Sequence, residues 1–213
     1  MARVLQLLFF LLLVRPLLLL VLGLNVRSRE RLPARGPAIL IANHNSHLDT
    51  LALMSLYPLG MLSRIRPVAA MDYFMRTSLL AWFATRIIGI IPLRRTIKSG
   101  QGNPLAESVA ALERGEILIL FPEGSRGEPE RLGTFKSGIA HLAKRLPEVP
   151  VVPIYLHGLG MALPKGEALL VPFFCDVFIG ESLCWQGDKE AFMQQVNEAM
   201  NRLAEEGGFP SWD

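Results

Sequence analysis

Two cysteines in 213 residues, Cys175 and Cys184, are too few for a disulfide framework, and no third or fourth thiol completes a structural zinc site. Charge is scarce as well, with 19% charged residues against 51% hydrophobic, which excludes a disordered polyelectrolyte and leaves ample material for a core. Acidic residues are rarest where basic ones are densest: residues 1–100 hold 3 Asp/Glu and 13 Lys/Arg. Residues 101–213 reverse this with 16 against 9, so the net charge of +3 conceals a basic half and an acidic half. After residue 24 there is no internal repeat and no low-complexity stretch, which excludes collagen and coiled coil. The basic residues flank apolar stretches without interleaved exposed aromatics, so they suit anionic headgroups and not nucleic acid.

What is abundant is apolar sequence, concentrated at the N-terminus. Residues 4–24 are apolar except for Gln6, Arg15, Pro16 and Gly23. The stretch is longer than a signal-peptide core, and no small-residue cleavage site succeeds it. Two anchored arrangements remain open. A single span needs about 20 apolar residues, but Arg15-Pro16 would stand near its middle, where an arginine costs about 2.5–3.5 kcal/mol. A pair of short helices lying in one leaflet would let Arg15 snorkel to the headgroups. Arg27, Arg29, Arg31 and Arg35 place the rest of the chain on the cytoplasmic face of the cell membrane. The expected division is therefore an anchor over 1–24 and one catalytic domain over 25–213.

Beyond residue 36 short apolar runs alternate with amphipathic ones. Strands are expected at Pro37–Ala42, Val68–Ala70, Ile90–Leu93, Ile117–Phe121, Val151–Leu156 and Leu169–Ile179, the last kinked at Pro172. Helices are expected from Leu48 to about Tyr57, then over Tyr73–Ile88, Leu105–Arg114, Lys136–Arg145 and Asp188–Glu205, with Asp188 as N-cap. The alternation predicts a single α/β domain: a mixed, mostly parallel sheet flanked by helices.

Two segments at strand ends carry chemistry. In Asn43-His44-Asn45-Ser46-His47-Leu48-Asp49 a continuous helix would turn His44 and Asp49 about 140° apart. A strand–turn–helix arrangement instead brings the carboxylate to the imidazole, which fixes its tautomer and frees one nitrogen as a base. Ser46-x-x-Asp49 also reads as a capping box, which needs no catalysis. His44-x-x-His47 has no nearby third metal ligand, and His47 is left without a role. In Phe121-Pro-Glu-Gly-Ser-Arg-Gly127, backbone amides, a hydroxyl and a guanidinium suit phosphate oxygens. The same segment nearly matches a nucleophile elbow, which would make Ser125 an esterase nucleophile. Arg94, Arg95 and Lys136 add cations, and together these groups point to an anionic substrate.

In order and spacing these residues resemble the glycerolipid acyltransferases of the 1-acylglycerol-3-phosphate (lysophosphatidate) acyltransferase type. Asn43-His44…Asp49 matches the N-H-x-x-x-x-D motif, and Gly89 with Arg95 the second motif. Phe121–Arg126 matches F-P-E-G-[ST]-R, Val152-Pro153-Ile154 the fourth motif, and Lys136 the F-K-x-G lysine. The likeness covers about residues 25–175. It implies a membrane-bound enzyme of phospholipid biosynthesis, needing no cofactor or metal, that moves a fatty acyl group from acyl-CoA or acyl-carrier protein to a lysophospholipid. The implied acceptor is 1-acylglycerol-3-phosphate, with another lysophospholipid or an amino-acid lipid as alternatives. It further implies His44 as general base and Asp49 as its orienting partner. Glu123 and Ser125 would position the glycerol, while Arg126, Lys136 and either Arg94 or Arg95 hold phosphate. Asn43 and Gly124 complete the implied substrate-binding set.

Overall fold

The computed structural model describes residues 1–74, 77–94, 103–163 and 169–208. The chain opens with helix α1 (Ala2–Val21), then β1 (Asn25–Arg27), β2 (Ala38–Ala42), α2 (Leu48–Ser55), β3 (Ile65–Ala70) and a short α3 (Met71–Phe74). It continues through α4 (Ser78–Ile88), β4 (Ile91–Leu93), α5 (Ala106–Glu113), β5 (Ile117–Leu120), α6 (Gly138–Arg145), β6 (Val151–His157), α7 (Leu159–Ala162), β7 (Asp176–Ile179) and α8 (Lys189–Glu206). Among the described residues seven strands form one sheet in the order β1-β7-β6-β2-β5-β3-β4. Every pairing is parallel except β6 with β7.

The strands read as continuous apolar runs because the sheet is covered on both faces. Alternate residues of one strand therefore enter different cores. On β2, Ala38, Leu40 and Ala42 pack with α1, α2 and α4, whereas Ile39 and Ile41 pack with α5, α6 and α8. On β5, Ile117 and Ile119 join the first core and Leu118 the second. Asp188 caps α8 as expected, its carboxylate accepting the Ala191 N–H at 2.7 Å.

Helix α1 is part of the first core. Gln6, Phe10, Val14, Leu18 and Leu22 form a buried stripe at intervals of four. In a regular α-helix such a stripe drifts by about 40° per step. Here the wider turns at Phe10–Val14 and Leu17–Val21 absorb the drift and keep the stripe on the domain. Arg15 does not reach outward: its guanidinium donates to the Tyr57 carbonyl at 2.7 Å, and Arg29 donates to the Leu56 carbonyl at 2.7 Å. Both cations thus cap the carboxyl end of α2. Two more of the arginines expected to face headgroups are engaged within the domain, Arg31 with Glu181 at 2.9 Å and Arg27 with Asp176 at 3.7 Å.

Three expected elements differ in extent. β3 begins at Ile65, earlier than the apolar run, because Arg66 is accommodated by donating to the Gly89 carbonyl at 2.7 Å. The long helix starts at Ser78, capped by Thr77, whose hydroxyl accepts the Leu80 N–H. Of the strand expected over 169–179 only β7 forms. Pro172 has no N–H, and the amides of Val171 and Cys175 are taken by the carbonyls of Ala162 and Leu22. Replacing Phe10, fully buried in the first core, by alanine is expected to cost about 3–5 kcal/mol. Thermal unfolding in detergent reads the loss, and an unchanged midpoint would mean that α1 is not part of the folded core.

Candidate active site

Because β2, β5, β6 and β3 run parallel, the segments at their carboxyl ends gather at one edge of the sheet, where open α/β sheets hold ligands. His44 lies in the turn after β2, and Asp49 in the first turn of α2. His44 Nδ1 stands 2.9 Å from Asp49 Oδ2, with side-chain exposures of 20% and 1%. The same Oδ2 accepts the backbone N–H of Asn45 and of Ser46, each at 2.8 Å. Ser46 completes the cap, its Oγ accepting the Leu48 N–H and donating to the Leu163 carbonyl. One carboxylate oxygen therefore serves both the helix start and the imidazole. With Nδ1–H bound to Asp49, Nε2 carries the free lone pair. The Phe121 ring stacks on the imidazole, centroids 4.0 Å apart and planes 18° from parallel.

Four bonds fix the His44 backbone and its surroundings. Glu123 Oε1 accepts the His44 N–H at 3.3 Å, and the His44 carbonyl accepts the Gly127 N–H at 2.9 Å. The Asn43 amide bridges to β6, donating to the Leu156 carbonyl at 2.8 Å and accepting its N–H at 2.7 Å. Burial pushes the Glu123 carboxyl above the usual carboxylate range, partly offset by the His44 N–H it accepts.

A cleft of about 880 Å³ opens beside His44. Its apolar lining comes from α2, β3, α4 and β4, including Leu51, Ala69, Leu80, Phe83, Ile88 and Leu93. Its polar lining includes His44, His47, Arg94, Ser125, Arg126 and Lys136. Gly124 has φ +73°, and a Cβ there would meet Lys136 Nζ at 2.8 Å, so the glycine makes room for the lysine stem.

Of the residues expected from sequence, His44, Arg94, Gly124, Ser125, Arg126 and Lys136 meet at this cleft. Asn43 and Glu123 do not line it but frame the turn, and Asp49 stands behind His44. Arg95 lies outside the described residues. The nucleophile elbow is not formed, since the segment after Ser125 is irregular until α6 begins at Gly138. Two contributors carry no assignment from sequence: Phe121, the first residue of the F-P-E-G-[ST]-R match but expected only as a strand residue, and His47, which lines the cleft.

An α/β domain thus sets a carboxylate-held imidazole beside a cleft with one apolar lining and several cations. The acyltransferase family model matches residues 23–157, and the chain belongs to that family. It is 32% identical over 184 residues to the chloroplastic 1-acyl-sn-glycerol-3-phosphate acyltransferase LPAT1 of Arabidopsis thaliana, covering 85% of this chain and 48% of that protein. With the human 1-acyl-sn-glycerol-3-phosphate acyltransferase alpha it shares 29% identity over 133 residues, 62% of this chain and 44% of that one. The chain thus spans about half the length of the curated relatives it matches. Its fold is that of the 1-acyl-sn-glycerophosphate (LPA) acyltransferase PlsC of Thermotoga maritima, with a TM-score of 0.72, 23% identity, and coverage of 89% of this chain and 74% of that one.

Burial, the Arg126 guanidinium and His44 hold His47 below its ordinary value of 6.5. A histidine lowered in the folded state contributes stability that is present above the unfolded value and is lost as pH falls below it. His47→Gln should therefore lessen the drop in thermal midpoint on moving from about pH 7.5 to pH 5. An identical acid sensitivity in both proteins refutes this.

Proposed function

We propose that this protein transfers a fatty acyl group from an acyl thioester to the free hydroxyl of a lysophospholipid, with 1-acylglycerol-3-phosphate as acceptor and phosphatidate as product. The observation that carries the reading is the His44–Asp49 pair at 2.9 Å, opening on a cleft with one apolar and one cationic lining. The names of the relatives supply the acceptor.

In this mechanism His44 Nε2 takes the proton of the acceptor hydroxyl while the oxygen attacks the thioester carbonyl. Asp49 stabilises the imidazolium, which returns the proton to the departing thiolate. No acyl-enzyme forms, and Ser125 is a contact of the glycerol portion and not a nucleophile. Arg126, Lys136 and Arg94 hold the phosphate, and the wall formed by β3 and α4 takes an acyl chain. Asn43 and Glu123 act through His44, by fixing the turn that presents it. Residues 25–213 form the catalytic domain.

We further assign the outer side of α1 to the membrane. Leu12 is 68% exposed and Leu20 83%, and Leu79 and Trp82 are exposed on α4, which packs against α1. The helix is long and apolar enough to cross a bilayer by length and composition. Its buried stripe, however, ties it to the rest of the domain along most of its length, through α2 and α4, which favours a helix lying in the interface plane. The arginine-rich stretch 27–35 favours the cytoplasmic face.

Thiol release from long-chain acyl-CoA, measured in detergent with a panel of lysolipids, tests the chemistry. His44→Ala is expected to lower the rate by at least about 10²-fold with an unchanged thermal midpoint. Arg126→Ala should raise KM for the acceptor more than for the thioester. Wild-type turnover by the His44 variant would overturn the assignment. Labelling of Ser125 by a fluorophosphonate would replace it with a serine esterase. Leu12→Asp with Leu20→Asp should abolish flotation with anionic phospholipid vesicles; retained flotation would remove α1 from the membrane face.

A further inference from the structure

Behind the cleft the structure holds a second histidine–carboxylate pair. His157, the last residue of β6, brings Nδ1 to 2.7 Å from Glu130 Oε2, with side-chain exposures of 5% and 6%. Neither residue lines the cleft, so the pair is not a second base. Glu130 also occupies the left-handed region at φ +58°, where a side chain is disfavoured without local compensation. A buried polar contact of this kind is a poor device for stability alone, because an apolar pair of similar volume serves as well. Its use is in fixing one arrangement, and the neighbouring bonds identify which.

With the Asn45 amide oriented to satisfy both of its neighbours, its oxygen accepts the Glu130 N–H at 3.0 Å and its nitrogen donates to the His44 carbonyl at 3.0 Å. That same carbonyl accepts the Gly127 N–H at 2.9 Å. The segment 127–130 is thus fastened at both ends to the turn that carries His44, and Arg126 enters the cleft from the residue just before it. Close packing leaves little slack. A Cβ on Gly160 would meet Glu130 Oε1 at 3.1 Å and Asn45 Cβ at 2.9 Å.

We propose that Glu130 and His157 are positioning residues, which lock the 127–130 segment so that the Arg126 guanidinium is held in register with His44 Nε2. The proposal rests on Arg126 being the acceptor phosphate contact. Its consequence is specific: losing the lock weakens the acceptor and spares the thioester.

The test uses the full chain in detergent with acyl-CoA and 1-acylglycerol-3-phosphate. Glu130→Ala should raise the acceptor KM about tenfold and change the acyl-CoA KM less than about twofold, and Glu130→Gln should restore most of the loss. In an Arg126→Ala background Glu130→Ala should add no further rise, since both act on one contact. Parallel losses in kcat and both KM values, or full additivity with Arg126→Ala, would overturn the proposal. Should Glu130→Ala not fold, His157→Gln carries the same comparison. Amide exchange gives an independent readout, with faster exchange at Gly127 expected on loss of the pair; unchanged exchange means there is no lock. An acceptor KM indifferent to Arg126→Ala, with exchange accelerated by Glu130→Ala, would instead overturn the phosphate assignment and this inference with it, while leaving the lock in place.

Discussion

Three N–H groups converge on one buried oxygen, Asp49 Oδ2: the His44 ring and the backbone amides of Asn45 and Ser46. The start of a helix leaves its first amides without partners and favours negative charge. The Asp49 carboxylate accepts the Asn45 and Ser46 amides before any chemistry is asked of it. The imidazole is then oriented by a charge that the fold already requires. Capping and base activation are one interaction seen from two sides, which is why the two readings of this segment need not compete.

The rest of the architecture holds that oxygen in place. Its turn leaves β2, whose neighbours β5 and β6 deliver the Glu123 carboxylate and the Leu156 backbone groups that bond His44 and Asn43. At the far end of α2, Arg15 and Arg29 close the open carbonyls. The helix presenting Asp49 is therefore charged favourably at both ends, by an aspartate at its start and by two arginines from the N-terminal region at its finish.

Much of this was legible in the sequence because it is local or periodic. The apolar runs of β2, β5 and β6, the cap at Asp188 and the turn-then-helix placement of His44 and Asp49 all depend on neighbours within a few residues. What was not legible depends on partners far along the chain. β1 is three polar-flanked residues that become a strand only by pairing with β7, 151 positions away. Glu123 and Asn43 carry donors and acceptors that suit a substrate, and nothing in their spacing says that Leu156 and the His44 backbone would take them. Arg15 in an apolar run reads as a membrane liability until Tyr57 is known to lie beside it. The irregular course of 169–175 is a competition for backbone bonds that apolar composition does not record.

The period of α1 bears on how a lipid meets this site. An apolar helix with no preferred side can sit anywhere in hydrocarbon, but a stripe recurring at four with widened turns to match specifies one partner face. That face is the core shared with α2 and α4, so the leucines left over are constrained to point away from it together. Phe9 of α1 meets Phe83 of α4 edge-on at 5.3 Å, and Phe83 also lines the cleft. Phe9 and Phe83 thus link the helix that carries the exposed leucines to the wall of the groove. If that outer side rests among acyl chains, a lysolipid exchanges one apolar surrounding for another on entering, and only its headgroup crosses into the cationic lining. The difficult part of binding is then the phosphate. In the proposed mechanism the phosphate meets Arg126, whose neighbour Gly127 donates to the His44 carbonyl, and Lys136, whose N–H donates to the Pro122 carbonyl.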